Sequence, residues 1–226
     1  MKTTHRHWPI TLLVVATLAG SESLLHAQAP TYNREAIGPS DTAGRDGRLE
    51  SALGVLVPWH YGEHDTVRIV NDDGSLWYKF SFYYDDSDGK WDFPNADFAP
   101  RAFNPDHFLL TLDVIEANGN QYTVVVNSET GLRKRVKKAR FLRFLTWDQY
   151  VLTAFAVTFD RIDNPIRVLP DPSARVILFA RGTEYQPEAV QGDWLKVKWG
   201  RERAEHHGWI RWKSGGRLLV TMYPYA

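Results

Sequence analysis

The chain has 226 residues, 43% of them hydrophobic and 13% aromatic, with 27 basic and 27 acidic residues and no cysteine. That apolar share supplies one large core or two small ones and excludes a wholly disordered chain. The balanced charge speaks against a nucleic-acid partner, which would bring a basic excess. The lack of cysteine excludes disulfide staples, thiolate catalysis and a lipid-anchored lipoprotein.

Lys2, His5, Arg6 and His7 precede an apolar run from Ile10 to Ala19 that is too short to span a bilayer, and small residues follow at Ala27 and Ala29. This pattern reads as an export signal over residues 1–27. Cleavage is expected after Ala27, because a cut after Ala29 leaves Pro30 beside the scissile bond. Removing Lys2, Arg6 and Glu22 from 27 basic and 27 acidic residues leaves 25 and 26. The expected location is periplasmic or secreted, with no stable membrane insertion once the signal is gone. Residues 28–48 are poor in large apolar side chains and read as a flexible leader.

From Leu49 onward, strand-like segments appear at Ala52–Val57, Thr66–Val70 and Leu76–Tyr84. The second and third are separated by the hairpin signal Asn71-Asp72-Asp73-Gly74. Asp85 to Gly89 offers carboxylates, but lacks the spaced oxygen ligands and terminal acid of a calcium loop and reads as a turn. Three prolines between Phe93 and His107 predict a loop. Phe108–Glu116 and Gln121–Val126 form the clearest hairpin, joined through Asn118-Gly119, and Leu132–Lys138 adds a further strand.

Thr146 with Gln149 makes a capping box, and Trp147, Tyr150, Val151, Ala154 and Val157 make one apolar stripe, so a helix is expected to about Thr158. Prolines at 165, 170 and 172 mark a connector. The expected division is therefore a β-rich domain over 49–162, ending in a helix, and an all-β unit over 163–226. The latter has predicted strands near Ile166–Leu169, Arg175–Ala180, Glu188–Val190, Trp194–Trp199, Gly208–Trp212 and Leu218–Met222.

The Gly192-Asp193-Trp194-Leu195-Lys196-Val197 and Gly208-Trp209-Ile210 pair resembles the bacterial SH3-like domains of exported cell-envelope proteins, over roughly residues 163–226. The resemblance implies a small β-barrel that binds other molecules, with Trp194 at the position of the ligand-platform aromatic. Arg211 stands where such domains usually carry a proline, which departs from the pattern of proline-peptide binders. A fainter echo runs from Asn120 through Tyr122 and Val126 to Gly131-Leu132, with Tyr122 in the place of Trp194 and Gly131 in that of Gly208. It admits two readings, a second divergent copy or an unrelated hairpin. The fold class expected is mainly β, two small SH3-like β-barrels in tandem with one intervening α-helix.

Strand alternation puts Leu195, Val197 and Trp199 on one face and Trp194, Lys196 and Lys198 on the other. Likewise Ile210 and Trp212 oppose Trp209 and Arg211. Trp194, Trp209, Lys196 and Arg211 then form an aromatic–basic patch suited to anionic or sugar-peptide ligands, with Tyr122 as a further candidate. The other reading buries both tryptophans.

No catalytic constellation emerges. There is no Gly-x-Ser-x-Gly elbow. His60 and His64 would share a metal only on a helix, which Pro58 and Gly62 oppose, and His206-His207 reads as loop. No cofactor is expected. The run from Arg133 to Lys138, with Arg140 and Arg143, is explained either as protection of a sheet edge or as a surface for an anionic envelope polymer or lipid headgroup. The function expected is non-catalytic binding in the cell envelope, to peptidoglycan, a peptide or a partner protein. The alternative is a structural scaffold or assembly subunit.

Overall fold

A computed structural model describes residues 52–83, 95–178, 184–200 and 204–224. The export signal, the leader and the turn at 85–89 lie outside these residues. The described chain is mainly β. Strands β1 (Gly54–Pro58), β2 (Val67–Val70) and β3 (Leu76–Phe80) come first. β2 and β3 meet at the expected turn, where Asn71 N–H donates to the Ser75 carbonyl at 2.9 Å and Gly74 takes a φ of 85°. The stretch expected as loop contains β4 (Ala102–Asn104) and a 3-10 turn at Pro105–His107, where proline tolerates the first helical position.

β5 (Leu109–Asn118) and β6 (Gln121–Asn127) form the expected hairpin, with Asn118 opposite Gln121 and Gly119 at a φ of 45°. β7 (Leu132–Lys137) and β8 (Leu142–Thr146) complete a sheet of order β3-β2-β7-β6-β5-β1-β8, with β4 paired to β5. β7 is thus an interior strand between β2 and β6. The expectation that the Arg133–Lys138 run guards a sheet edge does not hold.

Around β5 both faces of this sheet are covered. Leu110, Leu112 and Val114 of β5 point into a core with Leu56, Val67, Ile69, Val124 and Val126. Thr111 and Asp113 point the other way and are buried too. The Arg101 guanidinium donates from Nε and Nη2 to the two Asp113 carboxylate oxygens at 2.6 and 2.8 Å. Burial works against the charge of Arg101, but the Asp113 hydrogen bond and charge outweigh it and hold the group above its ordinary pKa. The Tyr150 hydroxyl lies 3.2 Å from Thr111 Oγ1, and burial pushes that phenol up.

Tyr150 belongs to α1 (Trp147–Val151). Its capping box forms as expected: Gln149 N–H donates to Thr146 Oγ1 at 3.3 Å, and Thr146 N–H donates to Gln149 Oε1 at 3.0 Å. The helix does not reach Thr158. It ends at Val151, and β9 (Ala156–Phe159) pairs with β15 (Val220–Tyr223), placing Val157 opposite Met222. A ladder with a strand far along the chain overrides the local helical spacing, and the β-branched Val157-Thr158 step suits it.

β10 (Gln186–Gln191), β11 (Trp194–Trp199) and β12 (His206–Arg211) form an antiparallel meander, followed by a hairpin of β13 (Lys213–Ser214) and β14 (Arg217–Leu218). The strands predicted near Ile166 and Arg175 reduce to bridges, with Arg167 paired to Trp209 on one side and to Val176 on the other. The sheets do not close. β3 and β8 end the large one, so open sheets stand where two closed barrels were expected.

A second core gathers Leu195, Val197, Trp199, Ile210 and Trp212 with Val55, Leu145, Trp147 and Val151. β1 serves both cores, with Val55 in this one and Leu56 in the other. This core and the β9–β15 ladder join residues on both sides of position 162. No helix among the described residues is long and apolar enough to cross a membrane.

Candidate functional site

The turn Gly192-Asp193 opens β11. Gly192 adopts a φ of 58°, which glycine tolerates without a steric penalty, and Gln191 pairs with Trp194 across the two-residue loop. From there the alternation is complete over six residues. Leu195, Val197 and Trp199 are buried, while Trp194, Lys196 and Lys198 are half-buried on the opposite face. In β12, Gly208, Ile210 and the following Trp212 are buried, and Trp209 and Arg211 are half-buried.

The β11–β12 register pairs Trp194 with Arg211 and Lys196 with Trp209. Four of the five candidate residues are therefore brought together on one face, as two aromatic–cation cross-strand pairs. The Arg211 guanidinium carbon lies 5.8 Å from the centre of the Trp194 ring, within cation–π range. Neither outward tryptophan is in the fully buried set, which instead holds Trp212 with its Nε1–H donating to the Gly192 carbonyl at 3.1 Å.

Two close approaches fix this pair of strands. A Cβ on Gly208 would overlap Ile166 Cγ2, so glycine lets the 166–167 segment lie against β12. The Arg167 and Trp209 backbones exchange N–H to carbonyl hydrogen bonds of 2.8 Å in both directions. The buried Asn164 acts as a substitute strand, its amide nitrogen donating to the Arg211 carbonyl at 2.6 Å and its oxygen accepting from Arg211 N–H at 3.0 Å.

The face is less basic than its lysines suggest. Lys196 Nζ sits 3.1 Å from Glu188, Lys198 Nζ 3.7 Å from Glu205, and Arg211 Nη2 3.5 Å from Asp193. The expected aromatic–basic patch is an aromatic patch with paired charges, because the neighbouring strand and the flanking loops supply carboxylates. His207 is part of this network. Expected in a loop, it lies in β12, with Nδ1 2.8 Å from Glu188 and Nε2 3.2 Å from Glu205. An imidazole carrying both ring protons donates to both carboxylates in this arrangement.

Glu188, Glu205 and His207 bring potential metal-ligand atoms within 4.8 Å of one another. The two lysines occupy the same carboxylates, so the group works as an ion-pair network. Burial raises the Glu188 pKa, but hydrogen bonds and charge from His207 and Lys196 outweigh it, and the net shift is downward. The signal for His207 was present in the sequence: positions 207, 209 and 211 continue one outward-facing row.

Tyr122 is placed elsewhere. It lies on β6, on the same side as the buried Val124 and Val126, packed on the first core and stacked 6.0 Å from Phe144 with Lys138 Nζ 5.2 Å from its ring. Gly131, its companion in the weak repeat, sits in a turn at a φ of 73°, whereas Gly208 lies within a strand. His60 and His64 lie in the loop after β1, off any helix.

No family model, curated protein or solved structure matches the chain.

Proposed function

We propose that the protein is a non-catalytic binding protein of the bacterial cell envelope, periplasmic or secreted, whose ligand face is the outer surface of β11 and β12. The observation that carries this reading is the pairing of Trp194 with Arg211 and of Lys196 with Trp209 above a face whose opposite side is fully buried. Half-buried tryptophans on a rigid sheet offer stacking surface at low entropic cost. The flanking charges alternate in sign, so the face suits a ligand that is itself mixed in charge or sugar-like. A peptidoglycan stem peptide or glycan has that chemistry. The SH3-like relationship of residues 163–226 belongs to this reading, and the resemblance at Trp194 supports it.

Co-sedimentation with purified sacculi tests the proposal. The mature chain should pellet with sacculi, and Trp194→Ala should remain in the supernatant while keeping its fold. Absence of retention by the unmodified chain would sink the reading.

A further inference from the structure

The large sheet carries a second surface of different chemistry. On β7, Arg133, Arg135 and Lys137 point to the face opposite the buried Val136. The register extends this row sideways. Arg135 lies opposite Val70 of β2, whose residue Arg68 points the same way as Val70 and is paired with Lys79 of β3. On the other flank, Gln121 and Thr123 of β6 oppose Lys137 and Arg135. Strands lie about 5 Å apart, so these cations are lateral neighbours, and like charges so placed repel.

The repulsion is not relieved from within. Arg135 alone is held, its Nε 3.1 Å from the Asp72 carboxylate and its Nη1 donating to the Asp72 carbonyl at 3.2 Å. Among the described residues, Arg68, Lys79, Arg133 and Lys137 have no paired carboxylate. Because β7 is interior, edge protection does not account for the row either.

The β2–β7 ladder is short, with Ile69 opposite Val136 and Val70 opposite Arg135. Along it lies a cleft of about 460 Å³, lined among others by Thr66, Arg68, Gln121, Arg135, Lys137 and Phe141, with no acidic residue in its wall. Arg68, Lys137, Gln121 and Thr66 contribute to its walls beside apolar Val70, Ala139 and Leu142, and Arg135 adds a guanidinium that Asp72 already holds. Several positive charges beside hydroxyl and amide donors match a tetrahedral phosphate, whose oxygens point in several directions, better than a planar carboxylate. The cleft is larger than one phosphate, and the apolar Phe141 wall leaves room for the group that bears it.

We propose that this cleft, between β2 and β7, binds phosphate-bearing ligands, with Arg68, Arg135 and Lys137 as the cation set. It is separate from the tryptophan face and independent of the function proposed for it.

Calorimetric titration of the full mature chain with sodium tripolyphosphate, beside flotation with phosphatidylglycerol and phosphatidylcholine vesicles, tests the assignment. Binding to tripolyphosphate, to phosphatidylglycerol or to both is expected, weakening as salt rises. Vesicle binding without tripolyphosphate binding would identify a lipid headgroup as the source of the phosphate. The Arg68→Gln, Lys137→Gln double variant should lose about tenfold or more in affinity with its thermal midpoint kept, and Trp194→Ala should bind as the unmodified chain does. Should the double variant unfold, Arg68→Gln and Lys137→Gln singly carry the same expectation. Binding to neither probe, or binding unchanged in folded charge variants, would overturn the proposal.

Discussion

Trp194 and Arg211 face each other across the β11–β12 ladder, and the guanidinium lies against the indole ring. The contact orients both groups on a surface whose charges are already paired. Retention on sacculi should therefore depend on stacking more than on long-range attraction. Raising salt from about 0.05 M to about 0.5 M is expected to change retention less than twofold, whereas Trp194→Ala abolishes it. Pelleting assays across a salt series check both. A steep salt dependence would assign the binding to the basic cleft instead.

Gly208 allows the 166–167 segment to pack on β12. Gly208→Ala places a methyl group against Ile166 and is expected to destabilise the fold by about 1–3 kcal/mol, the usual cost of overpacking. Urea unfolding followed by tryptophan fluorescence measures this. Gly208→Ala, Ile166→Ala removes the opposing Cγ2 and should cost less than the sum of the two single changes.

The Arg101–Asp113 pair is buried beneath α1, with Arg101 also 4.9 Å from the centre of the Trp147 ring. Asp113→Ala leaves a buried guanidinium without its partner, and a loss of about 3–5 kcal/mol is expected. Replacing both residues, as Arg101→Met with Asp113→Leu, should cost less than the single change. Denaturation midpoints of the unmodified chain and the two variants give the comparison directly.

Glu188 has a pKa held below its ordinary value of 4.5. A group depressed in the folded state contributes stability above its unfolded value, and that contribution is lost as pH falls through the folded one. Acidification below about 4.5 should thus weaken the protein, and Glu188→Gln should flatten that part of the profile. Thermal midpoints of both proteins between pH 6 and pH 3 read the difference; parallel profiles would show that Glu188 does not contribute.

How much of this was legible in the sequence depended on how far each cause lay along the chain. The β11 strand was readable because its turn and its full alternation are local, and the Thr146 cap was readable for the same reason. The end of α1 was not, because β15 captures Ala156–Phe159 from the far end of the chain. His207 was missed because a polar pair before Gly208 resembles a loop. The carboxylates that fix it, and that neutralise Lys196 and Lys198, become neighbours only when β10 and the flanking loop fold onto the strands. The interior position of β7 depends on lateral pairing, which no short window of sequence records.

The ligand face is tested most directly by following the indole N–H resonances during titration of the isotopically labelled chain with soluble peptidoglycan fragments. The Trp194 and Trp209 signals should shift together and saturate, while Trp212, buried and hydrogen-bonded to Gly192, stays in place as an internal reference. No shift at Trp194 and Trp209 under saturating fragment, or shifts confined to other residues, would contradict a binding face on β11 and β12.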